Sequence, residues 1–269
     1  MTYNDMLRIA MEQSAEDLGC KADDFTKTCN VIVPYNLGKN ARKYLKLPIT
    51  ANLVSYGNNV VAGVTDDVKD TVKEYTDKFE YYHLFETPNM NWVSEKLLPL
   101  GYKCCFMAEY FLPSPEGIPD IPCKYETSIM TQENFVNLYL PSWSNALCEK
   151  RKELDVLGVG AYDGEKLVGL AACSADCDTM WQIGVDVLPE YRKRGIASSL
   201  TSVLAKEIIK RGKVPFYCCA WSNIRSARNA IRSGFVPSWA EFTIKPSDIV
   251  DGMNHYYCER QQLYDYYSA

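Results

Sequence analysis

The region between residues 155 and 245 alternates short apolar runs with helical stripes, and this alternation is the strongest constraint on the fold. The predicted strands are Leu157–Tyr162, Leu167–Ser174, Met180–Val187, Val214–Ala220 and a last one around Trp239–Ile244. The turn Asp163-Gly164-Glu165-Lys166 between the first two predicts a hairpin, because Asp-Gly suits positive φ angles. Short strands connected by helices predict an α+β domain built on one sheet.

The helices of this region are predicted from apolar spacing and end signals. The longest runs from Ile196 to about Arg211, with Gly212 as its C-terminal cap, and a short one covers about Ser226–Ser233. Two more are expected upstream, one from the N-cap Thr131 to about Leu140 and one over roughly Ser144–Glu153. One face of the long helix carries apolar side chains at helical spacing: Ile196, Leu200, Val203, Leu204 and Ile208.

A proline-rich segment divides the chain. Pro113–Pro122 holds four prolines and a glycine in ten residues, which favours a linker between residues 1–112 and 123–269. The first part echoes the second: Asn89 through Gly101-Tyr102, followed by Ala108-Glu109-Tyr110, parallels Asn223 through Gly234-Phe235, followed by Ala240-Glu241-Phe242. The echo indicates either an internal duplication or two unrelated strand-helix-strand units.

Composition excludes several function classes. The net charge of −5 over 269 residues argues against general nucleic-acid binding and suits a cationic substrate such as an amine. The eleven cysteines include the adjacent pairs Cys104-Cys105 and Cys218-Cys219 and are interpreted as reduced thiols. With two histidines no zinc set forms at usual spacing, so no metal is expected. The absence of an apolar span or signal peptide leads us to expect a cytoplasmic protein.

The segment from Val185 to Ala197 carries the clearest chemical signal. A strand ends at Val187, a basic turn follows, and a helix begins after Gly195. Unpaired N–H groups at a helix start, together with the helix dipole and the cations Arg192, Lys193 and Arg194, would suit a pyrophosphate. The same pattern also fits a solvated basic turn.

This run resembles the acyl-CoA-binding signature of the GNAT superfamily of N-acetyltransferases, Arg/Gln-x-x-Gly-x-Gly/Ala. The second motif of that superfamily, an asparagine followed by a small residue and later by Gly-Phe, is similar to Asn223 through Gly234-Phe235. The resemblance covers about residues 123–245. It implies the acyl-CoA N-acyltransferase fold, a mixed and mostly antiparallel sheet flanked by helices. The internal echo alone extends this interpretation to the first 112 residues, as a degenerate second copy.

The resemblance also implies a site for acetyl-CoA as co-substrate, without a metal. Main-chain groups of Val185 and Val187 would pair with the pantetheine arm where two strands splay, and an N–H near Val185 would hold the thioester carbonyl. The pyrophosphate and the second motif would use the remaining coenzyme residues: Arg192, Lys193, Arg194, Gly195, Ile196, Ala197, Ser198, Asn223 and Ser226.

The catalytic groups are less clear, because two family features are missing. Ala230 occupies the position of a tyrosine that serves as general acid in many members, and the strand Trp181–Val185 lacks the common glutamate. The nearest candidates are Asp186 and Ser222, although each also suits a structural role.

The predicted function is acetyl transfer from acetyl-CoA to a small-molecule or peptide amine in a ternary complex. A non-catalytic acyl-CoA sensor is the main alternative, and an aminoacyl- or long-acyl-transferase built on two such domains is a third. A second coenzyme in the first half is not expected, because Asp66 and Asp67 lie where its helix would have to receive a pyrophosphate.

Overall fold

The computed structural model describes residues 1–43 and 48–254. It shows an α+β fold with one ten-stranded mixed sheet flanked by helices. The helices are α1 (Tyr3–Leu18), α2 (Lys69–Lys78), α3 (Thr87–Leu97), α4 (Ile196–Lys210) and α5 (Ile224–Arg232), and residues 247–254 are also helical. The strands are β1 (Val31–Pro34), β2 (Ala51–Ser55), β3 (Val61–Val64), β4 (Tyr102–Pro113), β5 (Glu126–Thr131), β6 (Asp155–Asp163), β7 (Lys166–Ser174), β8 (Met180–Val187), β9 (Val214–Ala220) and β10 (Phe235–Pro246).

The strands follow the order β1-β3-β2-β10-β4-β9-β8-β7-β6-β5. The pairs β1–β3 and β8–β9 are parallel. The pairs β2–β3, β2–β10, β4–β9, β5–β6, β6–β7 and β7–β8 are antiparallel. The predicted mixed, mostly antiparallel sheet is therefore confirmed.

The chain divides into two compact units whose boundaries cut through β4 and β10. The first unit combines Met1–Gln13 with Ala108–Trp239, and the second combines Ser14–Met107 with the chain from Ala240 onward. The end of β4 accordingly pairs with β9 in the first unit, and the end of β10 pairs with β2 in the second. These boundaries differ from the ones expected at the proline-rich segment, and the assignment of two homologous domains stays a prediction.

The core of the first unit forms where α4 packs on the sheet. Leu200, Leu204 and Ile208 of this helix are fully buried against β7 and β8 residues such as Val168 and Ile183. Burying each of these side chains contributes about 2 kcal/mol to folding. The helical stripe in the sequence therefore predicted the buried face of α4 correctly.

The core of the second unit contains a buried ion-pair network as well as apolar side chains. Tyr75 and Phe242 are fully buried in its apolar cluster. The guanidinium of Arg42 donates to the carboxylates of Asp17 and Glu241, and the Arg42–Glu241 N–O distance is 2.7 Å. Arg42 therefore joins α1 to β10 as one buried cation shared by two carboxylates.

Two predicted helices between β5 and β6 are wrong. The segment after Thr131 is only a 3-10 turn, Gln132–Phe135, and the region 144–153 holds a second short 3-10 helix, Glu149–Leu154, with Arg151 in a non-helical conformation. Pro141 begins a further 3-10 turn and restricts the preceding residue to extended backbone. Phe135, Trp143 and Leu147 still bury their side chains, so their spacing reflects packing rather than an α-helix.

The proline-rich segment lies against α4 within the first unit. Ser199 Oγ donates to the carbonyl oxygen of Ile121 at 2.8 Å, and Lys206 forms an ion pair with Asp120. The two segments that carry the echo have similar local structure. Gly101 lies between the 3-10 end of α3 and β4, and Gly234 lies between α5 and β10. Both glycines have a φ of 86°.

Within residues 1–43 and 48–254, no helix is long and apolar enough to cross a membrane. The same residues contain no group of three or more His, Cys, Asp or Glu side chains that could hold a metal ion. Ten cysteines of the described chain are free thiols. The tyrosine-rich tail, residues 256–267, for which the sequence predicts an amphipathic cover, lies outside the described residues.

Candidate active site

The basic turn before α4 adopts the backbone conformation of an anion-binding loop. Gly195 is the N-terminal cap of α4 with a φ of 80°, and no side chain caps the helix. Lys193 also has a positive φ, 62°, alone among the non-glycine residues that the structure describes. Positive φ values at alternate positions turn successive N–H groups toward one side, as in anion-binding nests. The N–H groups of Ile196 and Ala197 are thus available to a ligand.

The space in front of this turn is open. A Cβ atom built on Gly195 would meet no heavy atom within 4 Å, and Arg192, Lys193 and Arg194 are exposed. Arg192 donates to the carbonyl oxygen of Val187 at 3.0 Å, and Arg194 donates to the Tyr125 hydroxyl at 2.6 Å. These contacts hold both guanidinium groups beside the helix start, where the dipole favours an anion.

Strands β8 and β9 separate next to this turn. Their parallel pairing runs from Met180 opposite Val214 to Ile183 opposite Tyr217 and stops there, although β8 continues to Val187. Beyond that point, within the part of the chain that the structure describes, β8 pairs with β7 alone and the end of β9 pairs with β4 alone. The strands therefore leave a gap between them, in agreement with the splay that the sequence resemblance implied beside Val185.

The register of β8 on β7 shows which backbone groups face this gap. Leu188 N–H donates to the carbonyl oxygen of Val168 at 3.0 Å, while Val187 lies opposite Gly169. Hydrogen-bonded and non-hydrogen-bonded pairs alternate in an antiparallel ladder. The N–H and C=O groups of Val185 and Val187 therefore point away from β7 and toward the gap, and the Val187 carbonyl oxygen also accepts the hydrogen bond from Arg192.

The Asp186 side chain lies on the face of β8 opposite the side chains of Val185 and Val187, and it fixes the loop that contains Asn145. Its carboxylate accepts hydrogen bonds from the N–H of Asn145 at 2.8 Å, from the Asn145 side chain at 2.7 Å and from the N–H of Ala146 at 3.0 Å. The loop approaches so closely that a Cβ on Gly184 would lie 1.9 Å from the Asn145 carbonyl oxygen. Three charge-assisted hydrogen bonds fix the orientation of this carboxylate against the loop.

The second motif brings Asn223 and Ser226 to the far side of the gap. The Asn223 side chain caps α5 by accepting from the N–H of Ser226 at 3.2 Å, so α5 begins two residues before the predicted start. Ser226 Oγ lies 2.8 Å from the Tyr217 hydroxyl, and α5 packs against the strand that carries Cys219. Ser222 is exposed in the turn between β9 and α5, together with its neighbour Trp221.

Glu109 lies close to the gap, but no sequence motif around it indicated that it could belong to the active site. Glu109 of β4 is directly opposite Cys219 of β9 and is partly buried. The sequence placed this residue only in the echo of Ala108-Glu109-Tyr110, and nothing local indicated that β4 would pair with β9. Pairing between strands so far apart in sequence is set by tertiary structure and has no short-range signal.

The sequence profile of the GNAT acetyltransferases matches residues 66–239. This chain belongs to the GNAT acetyltransferase family. No curated protein is significantly similar to it in sequence.

The solved structures with similar folds share little sequence identity with this GNAT protein. A GNAT-family acetyltransferase from Novosphingobium aromaticivorans is 17% identical, with a TM-score of 0.38, over 54% of this chain and 66% of that chain, slightly under two thirds of its length. A GCN5-related N-acetyltransferase-like protein from Streptococcus suis is 14% identical, with a TM-score of 0.47, over 90% of this chain and 98% of that chain. An aminoglycoside N-acetyltransferase solved in complex with CoA is 19% identical, with a TM-score of 0.34, over 44% of this chain and 93% of that chain.

Proposed function

We propose that this GNAT protein transfers an acetyl group from acetyl-CoA to an amine acceptor. The observation that carries the proposal is the gap between β8 and β9 beside the uncapped start of α4. An extended thioester arm fits the gap, and a pyrophosphate fits the helix start. Acetyl-CoA joins the two, because its pantetheine arm and its pyrophosphate are covalently linked.

In this proposal the coenzyme is held mainly by backbone groups. The amides from Arg194 to Ser198 bind the pyrophosphate, with Arg192 and Lys193 adding positive charge. The main chain of Val185 and Val187 pairs with the pantetheine arm, and the N–H near Val185 stabilises the oxyanion as the amine attacks. Across the gap, Asn223 and Ser226 of the second motif line the path of the same arm.

The two catalytic candidates named from the sequence differ in how well their surroundings support them. The three hydrogen bonds to Asp186 support a structural role, in which its carboxylate fixes the Asn145 loop against β8. Ser222 is exposed at the end of β9 and is available to a substrate. Both assignments stay proposals, and Ser222 is the candidate to test as an acid.

The thiolate of coenzyme A leaves without the tyrosine acid found in many relatives. Ala230 is fully buried in the core of the first unit, so a tyrosine there would have no room. A thiol with a pKa of about 8.5 is a fair leaving group at neutral pH, so the lack of an acid costs little. Catalysis then depends on positioning the amine and on the fixed backbone dipoles.

The second unit is proposed to bind no coenzyme. Asp66 and Asp67 form a 3-10 turn at the start of α2, and the Tyr102 hydroxyl donates to the Asp67 carboxylate. Two carboxylates at a helix start repel a pyrophosphate. One molecule of CoA per chain is expected.

The proposal is tested by titration calorimetry of CoA against the wild type, Gly195→Asp and Gly212→Asp. Both glycines have positive φ and open space around Cβ, and they lie at opposite ends of α4, so the two substitutions impose a similar backbone strain of about 1–2 kcal/mol. Only the substitution at Gly195 puts a charge and a side chain where the pyrophosphate is proposed. We expect one site in the wild type and in Gly212→Asp, and no binding in a folded Gly195→Asp protein.

Undiminished affinity in Gly195→Asp would refute the anion site, and two tight sites per chain would refute the assignment of the second unit. CoA binding without release of thiol from acetyl-CoA, in the presence of amines, would favour the acyl-CoA sensor over the transferase.

A further inference from the structure

We propose that Glu109 is the general base that accepts a proton from the acceptor amine. This proposal rests on the proposed function, because it assigns a residue to the same reaction. The carboxylate comes from β4, a strand that lies outside both sequence motifs of the coenzyme site.

The strand register places Glu109 on the same face of the sheet as Cys219, on the strand that lies across β9 from the gap. Glu109 is opposite Cys219, and two residues further along Phe111 is opposite Tyr217, which pairs in turn with Ile183 of β8. Side chains two apart along a strand share a face. Glu109 therefore projects on the same side as Cys219, beside the stretch of β9 that β8 no longer covers.

No cation among the described residues forms an ion pair with Glu109. Its carboxylate makes no hydrogen bond or ion pair with the described residues, and burial alone raises its pKa. The neighbouring groups on β9 are the thiol of Cys219 and the hydroxyl of Tyr217, both neutral because burial raises their pKa values. Ser226 of α5 adds a further neutral hydroxyl.

Glu241, the counterpart of Glu109 in the sequence echo, is an example of a carboxylate with a structural role. Glu241 occupies the position equivalent to Glu109 in the echo Ala240-Glu241-Phe242, and it is buried and bonded to Arg42 at 2.7 Å. A half-buried carboxylate without a cation destabilises the fold. Unpaired groups with raised pKa values are found most often where chemistry requires them.

Glu109 is also better suited to this role than its neighbours. Asp186 is on the other face of β8 and is occupied by three donors. Cys219 has a raised pKa, so it remains a thiol at neutral pH and is a poor nucleophile for an acetyl-cysteine route.

The proposed step conserves atoms and charge. The Glu109 carboxylate takes one proton from the ammonium form of the acceptor, and the freed nitrogen lone pair attacks the carbonyl carbon of acetyl-CoA. The C–N bond forms and the C–S bond breaks, so the electron pair leaves on sulfur. The second nitrogen proton passes to the thiolate, and Glu109 returns its proton to solvent.

The first experiment compares the wild type with Glu109→Gln, Glu109→Asp and the control Glu126→Gln, an exposed glutamate on β5. Thiol release from acetyl-CoA is followed from pH 5 to pH 9 with spermidine, kanamycin, L-lysine and water as acceptors. We expect Glu109→Gln to lower kcat about 10²–10⁴-fold with unchanged affinity for CoA, and Glu109→Asp to restore part of the rate. In the wild type, kcat/KM should rise with pH and then level off, and the carboxylate limb of that rise should vanish in Glu109→Gln.

A second experiment reads Glu109 directly and does not depend on the acceptor. The protein is labelled with ¹³C at the glutamate side-chain carboxyl and studied by NMR. The Glu109 resonance is assigned as the one that is present in the wild-type spectrum and missing from the spectrum of Glu109→Gln. We expect it to titrate above the ordinary range and to shift when CoA is added. The proposal for Glu109 would be overturned by a wild-type rate in Glu109→Gln. It would also be overturned if CoA binds in calorimetry but leaves the Glu109 resonance unchanged. If the wild type does not bind CoA at all, the proposed function is overturned instead.

Discussion

At the scale of single residues, Gly184 decides whether the Asn145 loop can lie against β8. Replacement by alanine would bring Cβ to 1.9 Å from a backbone oxygen, which cannot move without moving the loop. We expect Gly184→Ala to destabilise the protein by about 1–3 kcal/mol in chemical denaturation, as overpacking does. Gly252→Ala is the control, because its Cβ would meet nothing within 4 Å. Equal stability of the two variants would show that the loop is free to adjust.

The backbone conformation of the helix start that is proposed to bind the coenzyme was predictable from the sequence, whereas the surroundings of the carboxylates were not. The glycine and cations at 192–195 form a contiguous motif, and short-range chemistry is enough to predict a helix start with open amides. Asp186 looked like a catalytic candidate because it is close to the motif in sequence. Its three loop donors come from residues 145 and 146, a contact that depends on tertiary packing.

At the scale of secondary-structure elements, α5 departs from the family pattern in a testable way. Ala230 is fully buried, whereas its neighbour Ile231 is 57% exposed. We expect Ala230→Tyr to cost about 1–3 kcal/mol or more in chemical denaturation and to give no large gain in rate, because the ring has no space against β9. Ile231→Tyr is the matched control and should be nearly neutral. A stable and faster Ala230→Tyr enzyme would show that the site still accommodates the missing acid.

The elements with strong periodicity were predicted well, and those with weak periodicity were not. Strands β8 and β9 begin and end at the predicted residues, and α4 ends one residue before the predicted end. Between Thr131 and Leu154, by contrast, apolar residues recur at spacings that fit a helix but are buried by 3-10 turns. Pro141 interrupts the pattern, and the hydrogen bonds to Asp186 fix a loop instead.

At the scale of the whole molecule, β4 makes the first half of the chain necessary to the folding of the second. Residues 108–111 pair with β9, and Phe111 is buried in the core around α4. A fragment of residues 123–269 contains both sequence motifs but lacks this strand. We expect it to show no cooperative unfolding transition, and to regain one, together with CoA binding, when mixed with a fragment of residues 1–122. Cooperative unfolding of the isolated fragment, by circular dichroism, would contradict this expectation.

The pairing of β4 with β9 also joins two strands that the ribosome makes at different times. A ribosome completes β4 about a hundred residues before it completes β9, an interval of roughly 5–20 s at usual elongation rates. Throughout that interval Phe111 and the edge of β4 have no partner in the nascent chain, so the strand emerges as an exposed apolar edge. We therefore expect slower elongation to lengthen the time for which this apolar edge is exposed.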